Sequence, residues 1–230
     1  MRIRLMVVAI AAMAAFAAGP VKAIANLPAA ETPVSPPPAA VDTGWTKEDI
    51  ATFERRAAAG NASSMYSLGF AYEHGDGVET DLAKSAAWYL KAANLGNRDA
   101  MNNLGSLYSN GKGVAIDYAT ALRWFKKSAA LGDKIAMFNM GYSYDVGLGV
   151  PINDVEAVRW YRKSAEAGYE DAMLYMGQMY EDGEGVERDR AASAYWYELA
   201  SHSGDPTVSK KAKEGLDRLR ALPALGRTPA

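Results

Sequence analysis

A 36-residue period that runs four times without an insertion constrains this chain more than anything else in it. Trp88, Trp124, Trp160 and Trp196 are 36 apart, as are Gly69, Gly105, Gly141 and Gly177. Three more glycine columns keep the phase: Gly75, Gly111, Gly147 and Gly183; Gly77, Gly113, Gly149 and Gly185; and Gly96, Gly132, Gly168 and Gly204. Met65, Met101, Met137 and Met173 share the register. A period of this length specifies stacked repeats, each able to bury its apolar face only against its neighbours. Such stacks present extended surfaces, which moves the functional expectation towards binding.

Within residues 62–97, Met65, Leu68 and Tyr72 fall at helical spacing, so the first half of the repeat reads as a helix over 63–74. Gly69 sits in its apolar face. Glycine inside a helix costs about 1 kcal/mol relative to alanine. Four in register need a reason, and the expected one is a partner helix too close for a side chain. Gly75-Asp76-Gly77 breaks the helix, glycine supplying the positive φ at its end. Asp81 is the expected N-cap of a second helix, repeated by Asp117, Asn153 and Asp189. That helix runs through Ala86, Trp88, Tyr89 and Ala93 to Leu95-Gly96, mixing small and large residues as antiparallel packing requires. Each repeat is expected to be a helix–loop–helix hairpin, bounded at 62–97, 98–133, 134–169 and 170–205.

The ends differ. Thr46-Lys47-Glu48-Asp49 matches a capping box and opens a helix that stops at Ala59-Gly60. Gly60 lies 36 before Gly96, so residues 45–61 read as a lone second helix, a half repeat that covers the first hairpin. Asp205-Pro206 opens a capping helix over 206–222, with Val208, Ala212, Leu216 and Leu219 as its apolar stripe and Lys210, Lys211 and Lys213 on its wet face. Residues 223–230 read as a frayed, disordered tail.

Arg2 and Arg4 precede an apolar, Ala-rich run from Leu5 to Ala18, the layout of a signal peptide and short for a bilayer span. Val21-Lys22-Ala23 favours cleavage after Ala23, giving a signal peptide over 1–23; Ala17 or Ala18 is the alternative site, and an uncut anchor the other outcome. Residues 24–44 carry Pro28, Pro33, Pro36, Pro37 and Pro38 without apolar periodicity and read as an extended linker. With 0 Cys, the chain has no disulfide framework, no thiolate metal site and no lipid attachment at cysteine. The chain holds 25 Lys+Arg and 27 Asp+Glu; without residues 1–23, which hold three bases and no acid, 22 against 27 leave a net charge of −5. That acidity argues against nucleic acid or an anionic membrane surface as partner.

The repeat columns read Leu68-Gly69, Tyr72, Gly75, Gly77-Val78, Trp88-Tyr89 and Ala92-Ala93 in the first copy. This pattern resembles the Sel-one-like repeat family, a branch of the tetratricopeptide superfamily, over residues 46–205. Departures are mild: Ser64 stands where Ala100, Ala136 and Ala172 recur, and Met140 and Met176 replace Leu. The resemblance implies an all-α fold, a right-handed α–α superhelix of four repeats with capping helices at both ends. It also implies a scaffold or adaptor role, often in bacterial envelopes, and a concave face lined by the first helix of each pair.

On that basis the groove takes Ser63, Tyr66, Phe70, Glu73 and His74 from the first repeat and Asp99, Asn102, Ser106, Ser109 and Asn110 from the second. The third gives Ile135, Phe138, Tyr142, Asp145 and Val146, and the fourth Asp171, Leu174, Gln178, Glu181 and Asp182. The expected partner-binding set is Tyr66, Phe70, Glu73, Asn102, Ser106, Phe138, Tyr142, Asp145, Leu174, Gln178 and Glu181. Tyr66, Phe138 and Tyr142 are the expected anchors with one wet edge. The acids, with no Lys or Arg among the groove positions, favour a basic or polar extended segment.

Other chemistries find little purchase. The Gly-x-Gly loops follow helices and lack the strand and spacing of a phosphate loop. His74 and His202 are the only histidines and share no ligand spacing. Glu181, Asp182, Glu184, Glu187 and Asp189 form an acidic edge without a calcium-loop pattern. Ser109-Asn110-Gly111-Lys112 fits S-x-x-K, but the helix ends between Ser and Lys. No cofactor or metal is expected. The expectation is an exported, non-enzymatic protein–protein interaction module of the envelope, monomeric and periplasmic, not inserted in the membrane once the signal is removed. Its partner would be an envelope sensor or a cell-wall enzyme. The alternatives are a muropeptide-binding or cell-wall-directed enzyme, and a secreted effector that meets a host protein.

Overall fold

The computed structural model describes residues 44–221. The signal-peptide and tail expectations, and all of the linker but its last residue, lie outside these. Ten helices and no strand occur among the described residues. They are α1 (Lys47–Ala58), α2 (Ala62–His74), α3 (Leu82–Asn94), α4 (Arg98–Asn110), α5 (Tyr118–Ala130), α6 (Lys134–Val146), α7 (Asp154–Glu166), α8 (Glu170–Asp182), α9 (Arg190–Ser201) and α10 (Pro206–Ala221). The first helices of the four repeats are α2, α4, α6 and α8; the second helices are α3, α5, α7 and α9.

Local chemistry sets the helix ends. The side chains of Asp81, Asp117, Asn153 and Asp189 each accept a backbone N–H of the second helix they open. Asn61, Asn97 and Asp133 do the same for the first helices, but Tyr169 stands in that column and makes no capping bond. The capping box at α1 is complete: the Asp49 N–H donates to Thr46 Oγ1 over 3.2 Å and the Thr46 N–H to Asp49 Oδ2 over 2.8 Å.

Each helix packs on its chain neighbours, and the further pairings are α2 with α4, two first helices, and α8 with the capping helix α10, which begins one period after α8 and takes a first helix's place. First helices therefore crowd onto the inner side of an α–α superhelix, and second helices fan out on the outer side.

The two halves of each hairpin meet at the in-helix glycines. A Cβ on Gly69, Gly105, Gly141 or Gly177 would stand 2.5–2.6 Å from a ring carbon of Tyr89, Phe125, Tyr161 or Tyr197 respectively. The expected close approach is thus a buried ring, always twenty residues on, lying flat against bare backbone. The second loop glycine makes the joint between repeats. A Cβ on Gly149 would lie 2.9 Å from the Tyr118 carbonyl carbon, and Gly113 and Gly185 press still closer on the backbones of Leu82 and Asp154. Gly77 repeats that contact on Thr46, with 3.0 Å to its carbonyl oxygen, so α1 occupies the place of a preceding second helix.

Serine hydroxyls stitch the two helices of a hairpin together. Ser128 Oγ donates to the Arg98 carbonyl over 2.8 Å, and Ser164 Oγ to the Lys134 carbonyl over 2.6 Å, 36 residues apart in the same geometry.

Candidate functional site

The inner face is built from columns of the first helices, and the structure separates those that look outward from those that close the stack. Tyr66 and Phe138, expected as anchors with a wet edge, are 1% and 5% exposed. Tyr66 lies against the Tyr89 ring at 5.7 Å. Phe138 is held by Tyr161, Tyr169 and Tyr175 at 5.2, 5.2 and 5.0 Å between centroids. Leu174 is buried with them in column, packing on Tyr197, Ala200 and Val208. The anchor assignment of Tyr66 and Phe138 is corrected accordingly: both rings brace neighbouring helices, which is the commoner fate of helix-spaced aromatics.

Phe70 is buried, stacked on His74 at 4.0 Å and meeting the edge of Trp45 at 5.8 Å. It seals the first hairpin against the segment that enters α1. Asn102 and Ser106 are buried too. Asn139 Nδ2 donates to Asn102 Oδ1 over 2.9 Å, Asn102 Nδ2 to Asn103 Oδ1 over 3.4 Å, and Asn103 Nδ2 to the Tyr89 hydroxyl over 3.2 Å. An amide ladder therefore crosses from the first repeat to the third. Buried amides joined this way fix register between helices that apolar contact alone would leave free to slide.

The acids expected to select a basic ligand have a structural use. Tyr89 donates its hydroxyl to Glu73 over 2.9 Å, Tyr161 to Asp145 over 3.2 Å, and Tyr197 to Glu181 over 2.6 Å, each pair sixteen residues apart. In the second repeat the ring is Phe125, without a hydroxyl, and the acid's place is taken by Ser109. Asp145 is fully buried. Glu181 also receives Arg218 of α10, through Nε to Oε1 at 3.1 Å and Nη2 to Oε2 at 2.9 Å. The expectation of a groove acid without a basic neighbour fails at Glu181, because the capping helix supplies the guanidinium.

Burial alone would raise the Glu181 carboxyl, but bonds from Arg218 and Tyr197 outweigh it and hold it below the usual range. A carboxylate depressed by folding stabilises above its unfolded pKa of about 4.3 and loses that contribution as pH falls through its folded value. Glu181→Gln should therefore lower the melting temperature at pH 7, and the gap to the unmodified protein should close below about pH 4. A gap that stays constant from pH 7 to pH 3 in thermal scans would show that the pair contributes nothing through its charge.

Of the expected set, Glu73, Tyr142, Gln178 and Glu181 keep an open side, and Tyr142 and Gln178 are the two outside the tyrosine–acid pairs. Both are half-buried and occupy one column of neighbouring repeats. Gln178 Oε1 is enclosed and accepts no hydrogen bond from the protein, so the open side of this residue is not its acceptor oxygen. Around them, Asp99, Asn110, Ile135, Val146 and Asp171 are also half-buried, and Asp182 is exposed. Burial, then the charges of Glu181 and Glu184, raises the Asp182 carboxyl. Charge divides by helix type: α2, α4, α6 and α8 carry seven Asp/Glu against two Lys/Arg, whereas α3, α5, α7 and α9 carry nine Lys/Arg against four Asp/Glu. Among the described residues, no group of three His, Asp or Glu side chains stands close enough to hold a metal ion. None of their helices is long and apolar enough to cross a membrane.

The Sel1 repeat family model matches residues 62–97, 98–133, 134–169 and 170–205. The chain belongs to the Sel1 repeat family. Among solved structures it is similar to c5321, a protective antigen of uropathogenic Escherichia coli strains that displays an SLR fold, at 38% identity and a TM-score of 0.69 over 73% of this chain and 36% of that one. It is also similar to a Sel1 repeat protein from Oxalobacter formigenes, at 31% identity and a TM-score of 0.67 over 75% of this chain and 69% of that one. The present chain thus spans about a third of the E. coli protein's length. No curated protein matches it. Sel1 repeats are protein–protein interaction modules, and the family is typically a non-enzymatic scaffold.

Proposed function

We propose that this Sel1 repeat protein is an exported adaptor or regulator of the bacterial envelope that holds an extended segment of a partner protein along its first helices. The observation that carries the reading is the half-open column of Tyr142 and Gln178 on neighbouring repeats, which offers an aromatic face and an amide side chain to a peptide laid across the first helices. The acid excess of the first helices favours a segment with Lys or Arg. Export to the periplasm rests on the N-terminal Arg2–Ala23 pattern. That the E. coli relative is a protective antigen agrees with display outside the cytoplasm.

The test places a photo-crosslinking amino acid at Tyr142 in cells, with adducts identified by mass spectrometry of the periplasmic fraction. One dominant protein adduct is expected, reduced by Asp182→Lys and Asp99→Lys, which alter exposed or half-open charge without touching the tyrosine–acid pairs. A folded, exported protein that yields no adduct from Tyr142 would overturn the groove assignment. Protein found only in the cytoplasm, still carrying Met1, would overturn export.

A further inference from the structure

The outer face carries a second site that the inner groove does not explain. In three successive repeats a lysine ammonium rests on the tryptophan ring of the same second helix: Lys91 on Trp88 at 3.9 Å, Lys127 on Trp124 at 4.2 Å and Lys163 on Trp160 at 4.5 Å. The pairing holds long, flexible lysines in one orientation before any ligand arrives. Between α5 and α7, over α6, lies a cleft of about 200 Å³. Its floor is apolar, made by Met140, Tyr144 and Trp160; its rim is basic, made by Lys126, Arg159 and Lys163. Glu156, also on the rim, is matched by Arg159 at 2.5 Å, which leaves Lys126 and Lys163 as the uncompensated charge.

The cleft is particular to this joint. Moving its rim by one period towards the N-terminus turns Lys126 into Leu90; moving it towards the C-terminus turns Arg159 into Tyr195 and Lys163 into Leu199. Only between the second and third repeats do three bases surround the apolar floor. Taken together, the second helices also carry a charge balance opposite to that of the first helices.

We propose that this cleft binds an acidic polypeptide segment bearing one bulky apolar side chain, so that the protein bridges two partners, one on each face. The apolar floor takes the side chain, and Lys126 and Lys163 take flanking carboxylates. Charge complementarity selects the class of ligand. The protein as a whole is acidic, which repels an extended polyanion such as nucleic acid or an anionic bilayer at long range, whereas a short acidic segment meets only the local positive field. This site is independent of the inner groove, and either can fail without the other.

The test uses a fluorescein-labelled ten-residue peptide of Asp and Glu around one central Phe, titrated by anisotropy against the whole protein at low ionic strength. Saturable binding is expected, weakening as salt rises, and about tenfold weaker in Lys126→Glu with Lys163→Glu. Asp182→Lys on the inner face should leave it unchanged, and the same peptide with Lys replacing its acids should not bind. Circular dichroism establishes that the exposed charge reversals stay folded. Equal affinity in the reversed variant would overturn the proposal. So would binding to phosphatidylglycerol–phosphatidylcholine vesicles but not to the peptide, or a self-association in sedimentation that the reversal abolishes while the peptide fails to compete.

Discussion

Gly141→Ala should destabilise the protein by about 1–3 kcal/mol, although alanine is the better helix former by about 1 kcal/mol. On an exposed helix the substitution would stabilise. Here a new Cβ would stand 2.6, 2.8 and 3.0 Å from three atoms of the Tyr161 ring. That ring has nowhere to go: it is fully buried, with Phe138 at 5.2 Å and Tyr175 at 5.0 Å from its centroid. Either the ring leaves its rotamer or α6 and α7 separate, and both break close packing along the hairpin. Thermal unfolding by circular dichroism measures the effect. Gly204→Ala is the internal control, since nothing lies within 4 Å of its added Cβ. Shaving the ring supplies the second check: Tyr161→Leu with Gly141→Ala should be less harmful than the sum of the two, because the clash is shared. A stabilising or neutral Gly141→Ala would mean that the glycine column reflects helix flexibility and not ring contact.

The glycine columns were legible as a demand for close approach, but the object approaching was not, because spacing on one helix says nothing about which side chain of the next fills the gap. The same limit explains the inner groove. Helical spacing places Tyr66, Phe138 and Tyr142 on one face, yet a face wide enough to hold them all is partly turned into the stack. Only the neighbouring rings, Tyr89 for Tyr66 and Tyr161 for Phe138, decide which is covered. Glu73, Asp145 and Glu181 read as ligand selectors because each hydroxyl partner lies sixteen residues away on another helix. A signal was present all the same. In the four repeats the residue after tryptophan is Tyr, Phe, Tyr and Tyr, while the position sixteen before it is Glu, Ser, Asp and Glu. The one ring without a hydroxyl is the one without an acid. The first-helix caps Asn61, Asn97 and Asp133 were equally readable, and Tyr169 shows what displaces them. Its ring is used on Phe138, and its hydroxyl bonds Asp171, whose carboxyl burial pushes up.

That correlation yields the sharpest energetic prediction. Tyr161→Phe should cost about 1–3 kcal/mol, more than a lost surface hydrogen bond, because the hydroxyl it removes serves a carboxyl that is itself fully buried. A carboxyl enclosed away from water cannot replace the lost donor with solvent, so the cost exceeds that of the same change at the surface. The second repeat shows the compensating change, since Phe125 occupies the same seat against Gly105 with buried Ser109 in the acid's place. Adding Asp145→Ser to Tyr161→Phe should therefore recover most of the loss, whereas Asp145→Ser alone leaves the Tyr161 hydroxyl enclosed without its acceptor and should destabilise. The double-mutant cycle, read from urea unfolding at pH 7, separates the pair from its surroundings. Additive single effects would show that the hydroxyl and the carboxyl act on stability independently, and the repeated pairing of Tyr with an acid would then need another cause. Strong coupling would mean that the acids of the inner face are held by the fold. A partner bound there would then meet amide and aromatic surface at Gln178 and Tyr142 before it meets charge.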